Sequence, residues 1–352
     1  ALGLVFNVLS GGEISETLGM VIGTVAVLVY VVIGGFLAVA WTDFIQMIVL
    51  VVGLTVIAIF AADLAGGAGN VLALASSQDM FTFWPEPTFK EIAFFIAAGI
   101  TMMLGSIPQQ DVFQRVMSAK DARTAQNGAM IGGAAYILFA FVPMFIVTAA
   151  VVVMGESALK LAADDYQKVL PTFIMGHMNL ALQIVFFGAL LSAIKSTSSA
   201  TLLAPSTSFV ENILKNLYPS MSDRQLLVAM RTTILIFSFG VLVYAIAMKG
   251  TSIYELVSGA YQITLVAAFV PLLMGLYWRR ATTQGAALSI LLGIGTWVLF
   301  FPQVSTLGEA FPGQLAGLSM AFVGMVAGSL VPQWVPNHHA HTHHLVAKGV
   351  EP

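Results

Sequence analysis

Apolar residues in this chain come in continuous runs, with none of the alternation that marks strands. A helix needs about 20 apolar residues to cross about 30 Å of hydrocarbon. Turn and charged clusters divide the chain into nine runs of that order: 17–38, 41–63, 91–117, 126–154, 181–212, 226–249, 252–277, 284–302 and 313–335. The opening Ala1–Ser10 is too short to cross, yet apolar enough to be the tail of a helix that does. Every backbone N–H in lipid must find a partner inside the protein, and continuous runs satisfy this as helices rather than as a barrel. The expected class is therefore all-α, a polytopic membrane helix bundle.

Composition agrees. Side chains are 58% hydrophobic and 9% charged, against about 25% charged in soluble globular proteins. Fourteen Lys and Arg against 17 Asp and Glu leave a net charge of −3, so there is no basic face for nucleic acid, and the expected partner is the lipid bilayer. The absence of cysteine excludes disulfides, thiolate metal sites and cysteine nucleophiles. The chain opens at Ala1 with no basic n-region and no small-residue cleavage site, so it reads as truncated at its start rather than as carrying a signal peptide.

Lys and Arg segregate when the connections are assigned to alternate sides. One side collects Arg115, Lys120, Arg123, Lys215, Arg224, Arg231, Arg279, Arg280 and Lys348; the other collects Lys90, Lys160, Lys168 and Lys249. The richer side is expected to be cytoplasmic, which puts the C-terminus there and Glu13 and Glu16 outside. The two long outer connections, 64–90 with Gly66-Gly67-Ala68-Gly69 and 155–180 with Asp164 and Asp165, suit short surface helices or lids. A membrane domain over 1–336 would be followed by a cytoplasmic tail, 337–352, whose His338, His339, His341, His343 and His344 suit a solvated segment better than a metal site.

Run 181–212 crowds Ser192, Lys195, Ser196, Thr197, Ser198, Ser199 and Thr201 into its middle. A mid-helix Lys costs roughly 2.5–3.5 kcal/mol on insertion scales, so it should face protein or water. The hydroxyls fit two roles. They let helices approach and bond back to carbonyls a turn earlier, or they supply oxygen to a dehydrated cation such as Na⁺. At 100° per residue, Ala193, Ser196 and Thr197 share roughly 100° of arc, so one carbonyl and two hydroxyls can converge, while Lys195 points about 150° away from the middle of that arc.

Run 91–117 holds Gly105-Ser106-Ile107-Pro108-Gln109-Gln110-Asp111. Pro108 lacks an N–H and crowds the preceding turn, so the helix is expected to kink or unwind near Gly105, as helices do beside transporter substrate sites or at a purely structural bend. Asp111 suits a helix end on the cytoplasmic side. Asp43, in Trp41-Thr42-Asp43, sits at the expected start of a run, where a carboxylate would cap it. Tyr261 and Gln262 follow Gly259 and could face a cavity or pack. No Gly-rich phosphate loop with Lys, no H-E-x-x-H and no G-x-S-x-G occurs, so neither hydrolase nor nucleotide-driven chemistry has visible residues; no enzyme activity and no cofactor are expected.

These motifs together resemble the sodium/solute symporter family, in its proline permease and high-affinity choline transporter branches. Ile33-Gly34-Gly35-Phe36-Leu37-Ala38-Val39 with Trp41-Thr42-Asp43 is similar to the proline branch; Gly105-Ser106-Ile107-Pro108 with Phe113-Gln114-Arg115-Val116 is similar to the choline branch. Leu191-Ser192-Ala193-Ile194, Ser196-Thr197 and then Glu211-Asn212 resemble the family's ion-site helix. The resemblance implies a LeuT-type inverted repeat lacking its first helices, including the first broken helix, in an inner (plasma) membrane. It also implies Na⁺-coupled symport of a small organic solute by alternating access. Carried over, the Ala193 carbonyl and the Ser196 and Thr197 hydroxyls would hold Na⁺, with Ser106, Gln109, Gln110, Tyr261 and Gln262 toward the solute and Asp43, Asp111 and Lys195 as coupling or gating groups. Gln109 stands where the choline branch has an aromatic, which shifts the expected solute from a quaternary ammonium toward an amino acid such as proline, or a similar carboxylate or zwitterion. Lys195 stands where the relatives are uncharged and leaves proton coupling, or a salt bridge to a buried carboxylate, open. A symporter-like membrane sensor is the other alternative, with no signalling module in the tail.

Overall fold

The computed structural model describes residues 2–301 and 304–334, the side chains of 33–39 excepted. The tail histidines, Lys348 and the 337–352 boundary lie outside the described residues. Among the described residues the regular elements are all helices: α1 (Leu2–Leu9), α2 (Glu16–Leu64), α3 (Ala68–Ser77), α4 (Phe89–Gly105), α5 (Gln110–Met117), α6 (Ala122–Met154), α7 (Glu156–Asp165), α8 (Val169–His177), α9 (Leu180–Phe209), α10 (Lys215–Leu217), α11 (Asp223–Ala247), α12 (Ile253–Thr264), α13 (Val270–Tyr277), α14 (Thr283–Leu299), α15 (Leu307–Ala310) and α16 (Gly313–Leu330). Turns of π-helix, Val210–Leu214 and Leu265–Phe269, join α9 to α10 and α12 to α13.

Six stretches are long and apolar enough to cross a membrane: Ala40–Leu64, Ala122–Met154, Leu180–Leu217, Asp223–Ala247, Ile253–Tyr277 and Gly313–Leu330, with the bent pair α4–α5 as a seventh. Glu16–Val32 and Thr283–Leu299 are shorter apolar helices. All nine expected runs thus fall on helices, although the first two share one. The 49 residues of α2 would be about 74 Å long if straight, more than twice the hydrocarbon thickness. They are not straight, because the Tyr30 and Thr42 hydroxyls hydrogen-bond across 12 residues, which an unbent helix would hold about 18 Å apart. The axis therefore bends between them.

The chain forms two compact units, Ala1–Phe83 with Gln114–Ser252, and Trp84–Phe113 with Ile253–Pro352. In the first, α2, α6, α8 and α9 close a core around Ile57, Ile146, Phe173, Ile174 and Phe186. Both long connections in it are helical, as expected: α3 buries Val71 and Ala75, and α8 buries Val169, Phe173 and Ile174. Gly66 and Gly67, at φ 77° and 114°, make the expected turn between α2 and α3 in a conformation that side chains disfavour. In the second unit α14 and α16 pack along their length with Leu265, Phe269, Ala321 and Met325 at the centre.

Charge pairs in the first unit join residues far apart in sequence. Glu16 bridges Lys168 at 3.7 Å and Lys249 at 3.5 Å, three residues assigned to one side. Asp43 pairs with Arg115 at 2.8 Å.

Candidate functional site

In the first unit, α9 is positioned by Asn179, whose side chain caps it by accepting from the Leu182 N–H. Gly53 on α2 admits Val185 of α9 closely: a Cβ there would lie 2.7 Å from a Val185 methyl. Eleven residues further along α9, Ser196 donates to the Asp43 carboxylate. The other oxygen of Asp43 accepts from Arg115 at 2.8 Å. Asp43 lies inside α2, not at its start, so capping is excluded; the helix runs through the position where the sequence suggested a boundary. Its side chain is 18% exposed and that of Arg115 42%. The pair is half-shielded, and a carboxylate held by one cation and one hydroxyl keeps lone pairs for a further cation.

Lys195 stands with its ammonium 3.6 Å from the centre of the Tyr30 ring. Among the described residues no carboxylate lies within ion-pair distance of it, which corrects the salt-bridge alternative. Thr197 is exposed and Ala193 half-buried. Other hydroxyls on α9 turn back on the helix: Ser199 donates to the Lys195 carbonyl at 2.8 Å and Thr201 to the Thr197 carbonyl at 2.9 Å. Those two take the packing role, whereas Ser196 does not. The sequence reading missed Gln46, three residues after Asp43 and within about 60° of it on α2. Its side-chain oxygen is buried and, among the described residues, has no hydrogen-bond partner. Only its spacing from Asp43 could have signalled it.

In the second unit α4 stops at Gly105, α5 starts at Gln110, and the axes differ by 44°, which is the break expected from Pro108. A Cβ at Gly105 would collide with the Tyr261 carbonyl on α12, so only glycine allows this approach. Thr264 seals it, donating to the freed Gly105 carbonyl at 2.6 Å and accepting from Gln109 Nε2 at 3.2 Å. The Ser106 hydroxyl turns back to the Met103 carbonyl, and Gln110 is exposed. Gln262 accepts from the Trp297 indole N–H at 3.0 Å, at the wall of a cavity of about 280 Å³ that Phe94, Phe300, Phe301 and Glu309 also line. Tyr261 is half-buried beside the break, and Asp111 sits in the first turn of α5. Thr264 and Trp297 were missed: each partner lies on another helix, and neither residue is polar enough to stand out in an apolar run.

The chain matches a known family along most of its length. The sodium:solute symporter family matches residues 5–293. The chain belongs to that family. Its members are transporters, not enzymes. Among relatives, the high-affinity proline transporter of Bacillus subtilis (strain 168) is 30% identical over 330 residues, covering 91% of this chain and 67% of the relative. The sodium/pantothenate symporter of Escherichia coli (strain K12) is 26% identical, covering 90% and 65%. The high-affinity choline transporter 1 of Caenorhabditis elegans is 27% identical, covering 84% and 52%. The chain thus spans between about half and two thirds of these relatives. A solved Na⁺-coupled sialic acid symporter, in a substrate-bound outward-open state, superposes with a TM-score of 0.75 at 20% identity over 96% of this chain and 71% of that one. At that identity the likeness establishes the fold, which is LeuT-like.

Proposed function

We propose that this protein takes part in Na⁺-coupled symport of a small organic solute, an amino acid such as proline or a similar carboxylate or zwitterion, by alternating access. On this reading it lies in the plasma (inner) membrane with its C-terminus in the cytoplasm. The Ala193 carbonyl and the Ser196 and Thr197 hydroxyls hold Na⁺, and the Asp43 carboxylate adjoins them. The observation that carries the reading is the Ser196–Asp43 contact: a hydroxyl on α9 meets a carboxylate 153 residues away, within a stretch apolar enough to cross a membrane. The buried Gln46 oxygen, which has no hydrogen-bond partner among the described residues, supports it, since such an acceptor is stabilised by a cation. Na⁺ drives transport by binding more tightly to the conformation that also binds solute, and the coupling is the difference between the two affinities.

The solute end of the reading draws on the second unit. Gln109, Gln110, Gln262, Ser106 and Tyr261 offer amide and hydroxyl groups near a helix break, suited to a carboxylate or amino group, and Asp111 and Lys195 serve as gating candidates. Proteoliposomes containing the full protein should accumulate labelled proline, or a pool of amino acids, under an inward Na⁺ gradient. Ser196→Ala with Thr197→Ala should raise the Na⁺ concentration for half-maximal uptake at least tenfold. Unchanged Na⁺ dependence, or uptake driven equally by a pH gradient alone, overturns the assignment.

A further inference from the structure

Lys195 is the charged residue in the middle of α9, next in sequence to Ser196. Its ammonium lies over the face of Tyr30 at 3.6 Å, close enough for a cation–π attraction. Tyr30 is fixed in turn, because its hydroxyl bonds that of Thr42, whose neighbour Asp43 accepts from Ser196. Five residues thus close a ring of contacts, Lys195–Tyr30–Thr42–Asp43–Ser196, tying α9 to both sides of the bend in α2. Among the described residues no carboxylate lies within ion-pair distance of Lys195, and Asp43 is engaged by Arg115. If only space had to be filled, an unbranched apolar side chain such as Met would do so without the cost of a mid-membrane charge.

We propose that Lys195 is a fixed charge that holds down the affinity of the adjacent Na⁺ site, with Tyr30 keeping the charge in place. The proposal rests on the reading of Ser196 and Thr197 as Na⁺ ligands. Neighbouring Cα atoms are about 3.8 Å apart and a Lys side chain reaches about 6 Å, so the ammonium lies within about 12 Å of the Ser196 hydroxyl. At that distance, with an effective dielectric constant of about 20, one unit charge weakens the binding of a monovalent cation about tenfold. A coupling ion must leave as readily as it enters, and a site built only of attractive groups would retain it. The ring face offsets part of the desolvation of the ammonium without cancelling its charge, which a carboxylate partner would do.

The test is equilibrium binding of ²²Na⁺ to the purified full protein. Lys195→Met is expected to bind Na⁺ about tenfold more tightly than the unaltered protein, and Lys195→Arg to bind it equally. Tighter binding is a gain that misfolding does not produce, and Lys195→Gln provides a second neutral variant should the Met variant fold poorly. Neutral variants that bind Na⁺ with the original or lower affinity, while Ser196→Ala weakens it, overturn the proposal and leave the site assignment standing. If Ser196→Ala does not weaken binding, the site assignment itself falls.

Discussion

Helix α9 in the first unit and the α14–α16 pair in the second both interrupt apolar runs with small or hydroxyl residues, and they use them in opposite ways. Along α14 and α16 the small residues are consumed by contact: a Cβ at Gly324 would lie 2.7 Å from the Leu288 carbonyl, and one at Gly293 would strike the Val266 carbonyl. Ser289 between them is fully buried, with its hydroxyl unpartnered among the described residues, so it acts as a small space-filler. On α9, Ser196 reaches across to a carboxylate, and Lys195 holds a charge at the same level. In sequence the two patterns look alike, because a small or hydroxyl residue permits close approach whether a helix or an ion follows. Charge beside the hydroxyls is what separates them.

Substitutions should widen that difference. The largest effect is expected from Gly324→Leu, which forces a side chain against the α14 backbone, costs about 3 kcal/mol or more, and should leave little monodisperse protein on size-exclusion chromatography after detergent extraction. At α9 the same kind of change, Thr197→Leu, should leave extraction intact, because Thr197 is exposed, while weakening Na⁺ dependence. Next comes Thr264→Val, which orphans the Gly105 carbonyl and the Gln109 amide. A loss of about 1–3 kcal/mol should lower the thermal midpoint and the rate of solute uptake, with half-saturating Na⁺ unchanged. An altered Na⁺ dependence there would blur the separation of roles.

The smallest effect is expected at Asp121, the cap of α6. The Thr124 backbone N–H, bonded to its carboxylate at 2.7 Å, holds its pKa below the ordinary value. Because the folded value is the lower one, this stabilisation is complete above the ordinary carboxylate range and is lost as pH falls through the folded value. Asp121→Ala should therefore show a slightly lower thermal midpoint at neutral pH and a flatter decline on acidification.

Much of the fold was legible because lipid imposes length and continuity on apolar runs, and because Pro108 and the Gly66-Gly67 pair act locally. The same-side grouping of Glu16, Lys168 and Lys249 was legible from loop charge. The continuous helix across Tyr30 and Thr42 was not, since the polar Trp41-Thr42-Asp43 step reads as a boundary, yet its polar groups find partners on α9 and α5. Gln46, Thr264 and Trp297 were not legible either. Their roles depend on which helix faces which, and apolar periodicity carries no information on that. The hydroxyl count on α9 suggested a site, but only the contact with Asp43 distinguishes Ser196 from Ser199.

The most direct test of the Na⁺ assignment is to locate the ion. A structure of the protein soaked with Tl⁺ as a heavy analogue should show an anomalous peak within about 3 Å of the Ala193 carbonyl and the Ser196 and Thr197 hydroxyls, abolished by excess Na⁺. A peak elsewhere, or none on α9 while Na⁺-driven uptake persists, would contradict it.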